Sequence, residues 1–205
     1  MGQTGAGLTQ TRAARQARSI QAALAGRGIS SATSGHVLAA LECTMGPRSG
    51  MDDHHPAFLH PGRSALILLH DVEELPEEAI VLAVLHESED EGLRPPSDCS
   101  DVSGGAQVAE ALADLPLPGS EDLTERLVLL PRAAVLAVLA ERLDHLRHLH
   151  MRDDLRARWQ PAHGEVERAW LPVAERTDPR LTRRFAHWHR TFARRLRKAE
   201  REGLL

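Results

Sequence analysis

Hydrophobic positions along the chain recur at helical spacing, and no segment shows the strict alternation expected of a β-strand. The clearest pattern runs from Pro131 to about Arg156. Its apolar stripe consists of Val135, Val138, Leu139, Leu143, Leu146 and Leu149. Similar spacing predicts helices over residues 12–25, 36–43, 106–115, 121–130, 165–175 and 180–202. The predicted fold class is therefore all-α.

Two further segments, residues 63–70 and 77–89, are apolar around the whole circumference of their middle turns. A soluble helix of this kind lies at the centre of a bundle, where every side is covered. Pro76, followed by Glu77 and Glu78, marks the start of the second segment. Proline fits the first turn of a helix, and acidic side chains at that end complement the helix dipole. We expect residues 1–12 to be disordered and residues 13–205 to form a single domain.

Amino-acid composition indicates what the core is made of and which partners and locations are expected. Hydrophobic residues make up 42% of the chain but aromatic residues only 3%, which favours a core of Leu, Ala and Val. A net charge of −4 argues against nucleic acid as a partner. Neither a membrane-spanning run of about 20 apolar residues nor a signal-peptide core is evident, so a cytoplasmic location is expected. Cys43 and Cys99 are then expected to be ordinary thiols, and homo-oligomerisation is left open.

Ionisable residues interrupt the apolar pattern at the end of the second central helix. Glu87 projects into the same sector as Ile80 and Val84, and His86 adjoins it. A carboxylate on the inward side of a helix is costly unless a cation meets it, and imidazole and carboxylate are both metal ligands. The alternative is a solvated helix end. His60, which precedes Pro61 at the start of the first central helix, is likewise either a ligand or a surface residue.

The long helix that starts near Pro131 raises the same question. Glu141, His145 and His148 share a polar stripe, while Arg142 projects into the apolar face. An inward arginine requires a buried acid or a phosphate. The alternative is a surface pair between Glu141 and His145, with an Arg142 side chain that reaches out to solvent.

Taken in order, these motifs resemble a known family. His60-Pro61, AVLHESEDE (Ala83–Glu91) and LAERLDHLR (Leu139–Arg147) resemble the HD hydrolase domain of stringent-response enzymes and small alarmone hydrolases. GGAQVAEALADL (Gly104–Leu115) is similar to an intervening helix of that family, and PRSG (Pro47–Gly50) to a motif ahead of its His-Pro. The resemblance covers roughly residues 36–175 and implies an HD-domain helical bundle.

The resemblance also implies an activity, the manganese-dependent hydrolysis of a nucleotide pyrophosphate such as (p)ppGpp. The implied metal ligands are His60, His86, Glu87 and Glu141. The family's catalytic acids fall on Asp90 and Glu91, which would help to activate or position water. Arg48, Arg142 and His145 fall where the family contacts substrate.

This sequence departs from the family in the length of its acids. Both aspartate ligands are glutamate here, and the Glu-Asp pair reads Asp90-Glu91. A second interpretation is therefore an altered HD domain that binds a nucleotide or a protein without turnover. A third is a helical DNA-binding protein built on the basic segment 180–201, although four apolar residues at helical spacing favour an amphipathic packing helix.

One literal His-Asp dyad, His70-Asp71, is excluded as the metal motif because it follows His60 too closely. We expect it at the outer end of the first central helix. The His54-His55 pair is expected at the surface.

Overall fold

The computed structural model describes residues 4–52, 54–86 and 122–205, and those residues form helices and connecting turns without a strand. The α-helices are α1 (Thr4–Gly26), α2 (Ser31–Met45), α3 (His60–Asp71), α4 (Glu77–Leu85), α5 (Leu123–Leu129), α6 (Arg132–His148), α7 (Trp159–Glu165), α8 (Leu171–Thr177) and α9 (Pro179–Arg201). The all-α prediction is confirmed. Helix α1 begins earlier than predicted, inside the segment expected to be disordered, and the predicted helix 106–115 lies outside the described residues.

Helix α6 is the centre of the bundle. The sequence predicts one apolar stripe, but the structure buries almost every residue from Ala133 to Leu146 because α3, α4, α8 and α9 all pack against this helix. Leu136, Leu139 and Val138 have no exposed surface. Burying a side chain of this size contributes about 1.5–3 kcal/mol, so a helix with no polar face is stable only inside the domain.

Helices α3 and α4 are central, as predicted. Every residue of α4 from Ala79 to Leu85 is buried, and α3 exposes little beyond its last turn. Gly62 permits the close approach of α1, since a Cβ at this position would lie 2.2 Å from the Gln16 side-chain oxygen. Gln16 in turn donates to the Leu59 carbonyl at 2.9 Å and so fixes the start of α3.

Helices α7 and α8 are continuous through a π-helical turn, Val166–Trp170. The turn buries Trp170 completely, and Trp170 donates a hydrogen bond to Glu165. Helix α9 then crosses α6 with its apolar face inward, as its amphipathic sequence predicts. Its buried residues are Leu181, Phe185, Trp188, Phe192, Leu196 and Ala199.

Cys43 takes part in a disulfide bond, so the expectation of an ordinary thiol is wrong for this cysteine. Among the helices described, none combines the length and the hydropathy needed to cross a membrane.

Candidate metal centre

A cluster of buried ionisable side chains lies where the first turn of α3 meets the C-terminal half of α6. His60 is the first residue of α3 and is only 1% exposed, and Glu141 of α6 has no exposed surface. His145 follows Glu141 by one helical turn and therefore lies on the same face of α6. The bundle thus places two imidazoles and one carboxylate inside its core.

The three side chains are close enough to share one cation. Their ligand atoms all lie within 4.8 Å of one another, and Glu141 Oε1 is 3.0 Å from His145 Nε2. The rings of His60 and His145 face each other with centroids 4.2 Å apart. A buried His60–Glu141–His145 group of this geometry could hold a metal ion.

The orientation of His60 is set by a carboxylate that the sequence analysis does not identify. Asp144 Oδ2 lies 2.8 Å from His60 Nδ1. Asp144 also accepts hydrogen bonds from Arg63 Nε at 2.9 Å and from Arg63 Nη2 at 2.8 Å. Since an ionised carboxylate only accepts hydrogen bonds, Nδ1 of His60 carries a proton, which leaves Nε2 as the nitrogen that a cation could bind when the ring is neutral. A carboxylate behind the histidine is the usual support of a metal-ligating imidazole.

Nε2 of His60 is buried and forms no hydrogen bond with the residues that the structure describes. A buried polar atom without a partner costs free energy, so such an atom requires an explanation. A cation coordinated by Nε2 would satisfy the atom, and the neighbouring Glu141 carboxylate would balance part of its charge.

Electrostatics keep both buried acids ionised. Burial, the largest influence, acts to raise the pKa of Glu141, but His145, followed by His86 and His60, outweighs it and leaves that pKa well below the ordinary value. Burial also acts to raise the pKa of Asp144, whereas His60 and Arg63 together hold it far below normal. Glu141 therefore offers an ionised oxygen to a cation, and Asp144 an ionised acceptor to His60 and Arg63.

The sequence-predicted ligands are only partly within the described residues. His86 directly follows α4 and is buried. Its Nε2 lies 3.8 Å from Glu141 Oε2, so this side chain is next to the three-residue group but not part of it. Glu87, Asp90 and Glu91 lie outside the described residues, so their predicted roles remain predictions. His145, predicted to contact substrate, is a member of the cluster, and its contact with substrate stays a prediction.

The two arginines predicted to face phosphates both make contacts within the fold. Arg48 is completely buried, and its guanidinium donates to the carbonyls of Ala57 and Thr44 at 3.1 and 2.6 Å. Arg48 therefore stabilises the turns between α2 and α3. Arg142 is 7% exposed and lies 3.3 Å from Glu165 Oε1. Glu165, which is 14% exposed, is thus one partner of the inward-pointing Arg142, and the predicted contacts of Arg48 and Arg142 with substrate stay predictions.

The predicted position of the His-Asp dyad at the outer end of the first central helix is confirmed. His70 is exposed at the last turn of α3, and Asp71 forms an ion pair with Arg184 of α9 at 2.6 Å. Both residues lie at the opposite end of α3 from His60, so they cannot belong to the same cluster.

Asp144 and Arg63 are the residues that sequence reasoning missed. A signal was present, since Asp144 adjoins Leu143, a residue of the apolar stripe, and follows Glu141 by three residues. Two acids at this spacing share one face of a helix, and the second could have been assigned to support the first. Arg63 offers a weaker signal, its position one turn after His60.

No protein-family model matches the chain, and the comparisons with curated proteins and with solved structures also find no match. The side chains of the cluster and the motifs in the sequence are therefore the basis on which a function is inferred.

Proposed function

We propose that the protein is a metal-dependent phosphohydrolase of the HD type that cleaves a nucleotide pyrophosphate such as (p)ppGpp. The observation that carries this proposal is the buried His60–Glu141–His145 group. In it, Asp144 fixes the His60 ring through Nδ1, and Nε2 is left without a hydrogen bond in the described residues. The order of the sequence motifs supplies the reaction class.

The donor set fits a divalent transition metal. Two imidazole nitrogens and one carboxylate oxygen suit manganese, iron or zinc, and three protein ligands leave coordination positions open. We propose manganese, the ion implied by the family resemblance. Such an ion supplies Lewis-acid chemistry, which polarises a phosphoryl oxygen and activates water.

The chain's own residues have separable roles. Glu141 contributes the anionic ligand, while Asp144 fixes the tautomer and the ring direction of His60. His86 extends the cluster toward the segment that directly follows it in sequence, where Glu87 is the proposed additional ligand. In that segment Asp90 and Glu91 are the proposed groups that hold and transfer the proton of the attacking water.

The first experiment measures metal content and turnover in parallel. Purified protein is stripped with a chelator, reloaded with Mn²⁺, Zn²⁺ or Fe²⁺, and analysed by inductively coupled plasma mass spectrometry. The loaded protein is then incubated with ppGpp, and pyrophosphate release is followed. We expect about one ion per chain and release of pyrophosphate with Mn²⁺. A chain that retains no ion under any of these conditions would refute the proposal.

Matched variants locate the site. Glu141→Gln keeps the shape of the side chain but removes its charge, so it should weaken metal binding by more than the roughly 10–100-fold typical of an outer-shell change. Glu78→Gln makes the same chemical change at an exposed position of α4 and should bind metal like the wild type. His70→Ala removes the exposed histidine of the literal dyad and should also leave metal content and turnover unchanged.

The same assay separates hydrolysis from binding. Stoichiometric metal and measurable nucleotide affinity without pyrophosphate release would support the altered, non-hydrolytic HD domain and reject the enzyme. Equal metal affinity in the wild type and in Glu141→Gln would show that the ion binds elsewhere.

A further inference from the structure

A second concave site lies on the far side of α6, between this helix and α9. The cleft has a volume of about 580 Å³, within the range of small-molecule sites. Five arginines line it: Arg147, Arg180, Arg183, Arg184 and Arg195. His150 and His187 lie among them, and Asp71 is the single acid in the lining.

The positive charge of this arginine cleft is only partly balanced. Arg184 is paired with Asp71 at 2.6 Å, and Arg180 is paired with Glu73. Arg147, Arg183 and Arg195 form no ion pair with any carboxylate in the described parts of the chain, and all three are exposed. The cleft therefore offers three guanidinium groups to a ligand, each able to bind a phosphate through two parallel hydrogen bonds.

The floor of the cleft is apolar and well ordered by packing. It is formed by Leu143, Trp188 and Phe192, and the rings of Trp188 and Phe192 stack with centroids 4.5 Å apart. Trp188 Nε1 donates to the Leu146 carbonyl at 2.7 Å, which fixes the indole against α6. A ligand that combines phosphate groups with an apolar or aromatic part would match both the rim and the floor.

A third feature points to a positive potential inside the cleft. Burial, followed by the nearby charge of Arg195, lowers the pKa of the His150 side chain. An anion bound among the arginines would relieve this repulsion.

The arginine cleft shares no residue with the candidate metal centre. Leu143 and Arg147 are one turn apart, and at 100° per residue they project from the side of α6 opposite to Glu141 and His145. A ligand in the cleft therefore does not require the metal centre.

We propose that the arginine cleft binds a phosphorylated organic anion of nucleotide size, with its phosphates on Arg147, Arg183 and Arg195 and its apolar part on the Leu143–Trp188–Phe192 floor. Nothing in the hydrolase proposal assigns a ligand to this surface. A concave site with a defined volume and an apolar floor favours a small molecule over a nucleic acid. A nucleic acid would also contact the exposed arginines of α9 that lie outside the cleft.

The test is isothermal titration calorimetry with ATP and with inorganic tripolyphosphate, in the presence of EDTA so that neither probe is held through a metal. The cleft variant is Arg147→Gln/Arg183→Gln/Arg195→Gln. Its matched control, Arg190→Gln/Arg194→Gln/Arg197→Gln, removes the same charge from exposed positions of α9 outside the cleft.

We expect the wild type to bind ATP more tightly than tripolyphosphate, because only ATP reaches the floor. The cleft variant should lose roughly 100-fold in ATP affinity, the equivalent of one or two charge-assisted hydrogen bonds. The control should lose clearly less affinity than the cleft variant, because its three arginines do not line the cleft and attract the ligand only through solvent that contains salt. Circular dichroism of both variants verifies folding, and Arg195→Gln alone gives a smaller loss in the same direction.

Three results would overturn the proposal. An equal loss of affinity in both triple variants would show a general effect of charge and no site. Tripolyphosphate binding as tight as that of ATP would remove the role of the apolar floor. Binding of a 20-base-pair DNA duplex that both variants weaken equally would identify a nucleic-acid surface along α9 instead.

Discussion

Asp144 supports both the fold and the candidate metal centre, and the substitution Asp144→Asn separates these contributions. The carboxylate is 1% exposed, accepts a hydrogen bond from His60, and forms an ion pair with Arg63, whose side chain is 24% exposed. Asparagine has nearly the same shape but no charge. It can also present an amide N–H toward Arg63, which is repulsive.

The cost to stability follows from the ion pair. Removing one partner of a buried salt bridge destabilises a protein by about 3–5 kcal/mol because the other charge is left uncompensated. Arg63 is partly exposed and also donates to the Pro56 carbonyl, so the lower end of this range, about 3 kcal/mol, applies. Loss of the support behind His60 should also weaken metal binding by about 10–100-fold.

The loss of stability caused by Asp144→Asn should depend on pH. His60 and Arg63 outweigh burial and make the pKa of Asp144 lower in the folded protein than in the unfolded chain, where it is about 3.9. The folded state therefore binds fewer protons, so ionised Asp144 stabilises it above pH 5 or so and loses this effect as the pH falls below about 4. The difference in stability between the wild type and Asp144→Asn should be largest near pH 7 and should shrink toward pH 2.

Urea denaturation of the metal-free proteins, followed by circular dichroism between pH 2 and pH 7, measures this difference. Asp52→Asn makes the same change at an exposed position and should leave the free energy of unfolding near that of the wild type at each pH. A constant difference between Asp144→Asn and the wild type across the whole pH range would refute the electrostatic explanation.

Two further predictions concern the C-terminal part of the chain. Asp178 caps α9, because its side chain accepts a hydrogen bond from the Leu181 amide at 2.9 Å. Asp178→Ala should therefore lower the free energy of unfolding by about 1 kcal/mol. A thermal melt unchanged from that of the wild type would contradict this role. Glu165→Gln weakens the charged contact with Arg142 at 3.3 Å and should cost about 2 kcal/mol in urea denaturation, whereas Glu167→Gln, an exposed change in the same segment, should cost little.

The parts of the fold that depend on periodicity could be predicted from sequence. The segments of α3 and α4 are apolar on every side, so their central position follows directly from composition. The burial of α6 on all sides could not be predicted in the same way. Its sequence contains Glu141, Arg142 and Asp144, which resemble a solvated face until the partners from other helices are known.

The same limit applies to the site. A polar residue on an inward face predicts that some partner exists, but the choice between a carboxylate and a ligand phosphate depends on tertiary contacts. For Arg142 the partner is Glu165 from α7, and for Arg48 it is the main chain. His60 and Glu141 were predicted as ligands from the resemblance of their motifs to the HD hydrolases, since each residue by itself is also typical of a solvated position. Asp144 was missed because its supporting role is visible only when the His60 ring lies beside it.

The burial of α6 also determines how the protein can open. Amide hydrogens in the middle of this helix are bonded within the helix and covered by α3 and α4, so they should exchange with deuterium only when the whole domain unfolds. Glu141 is therefore expected among the slowest-exchanging residues in the described part of the chain. We expect an ion to enter without unfolding of this helix, either past the partly exposed His145 or through the irregular turns of residues 46–52 and 54–59 that precede His60.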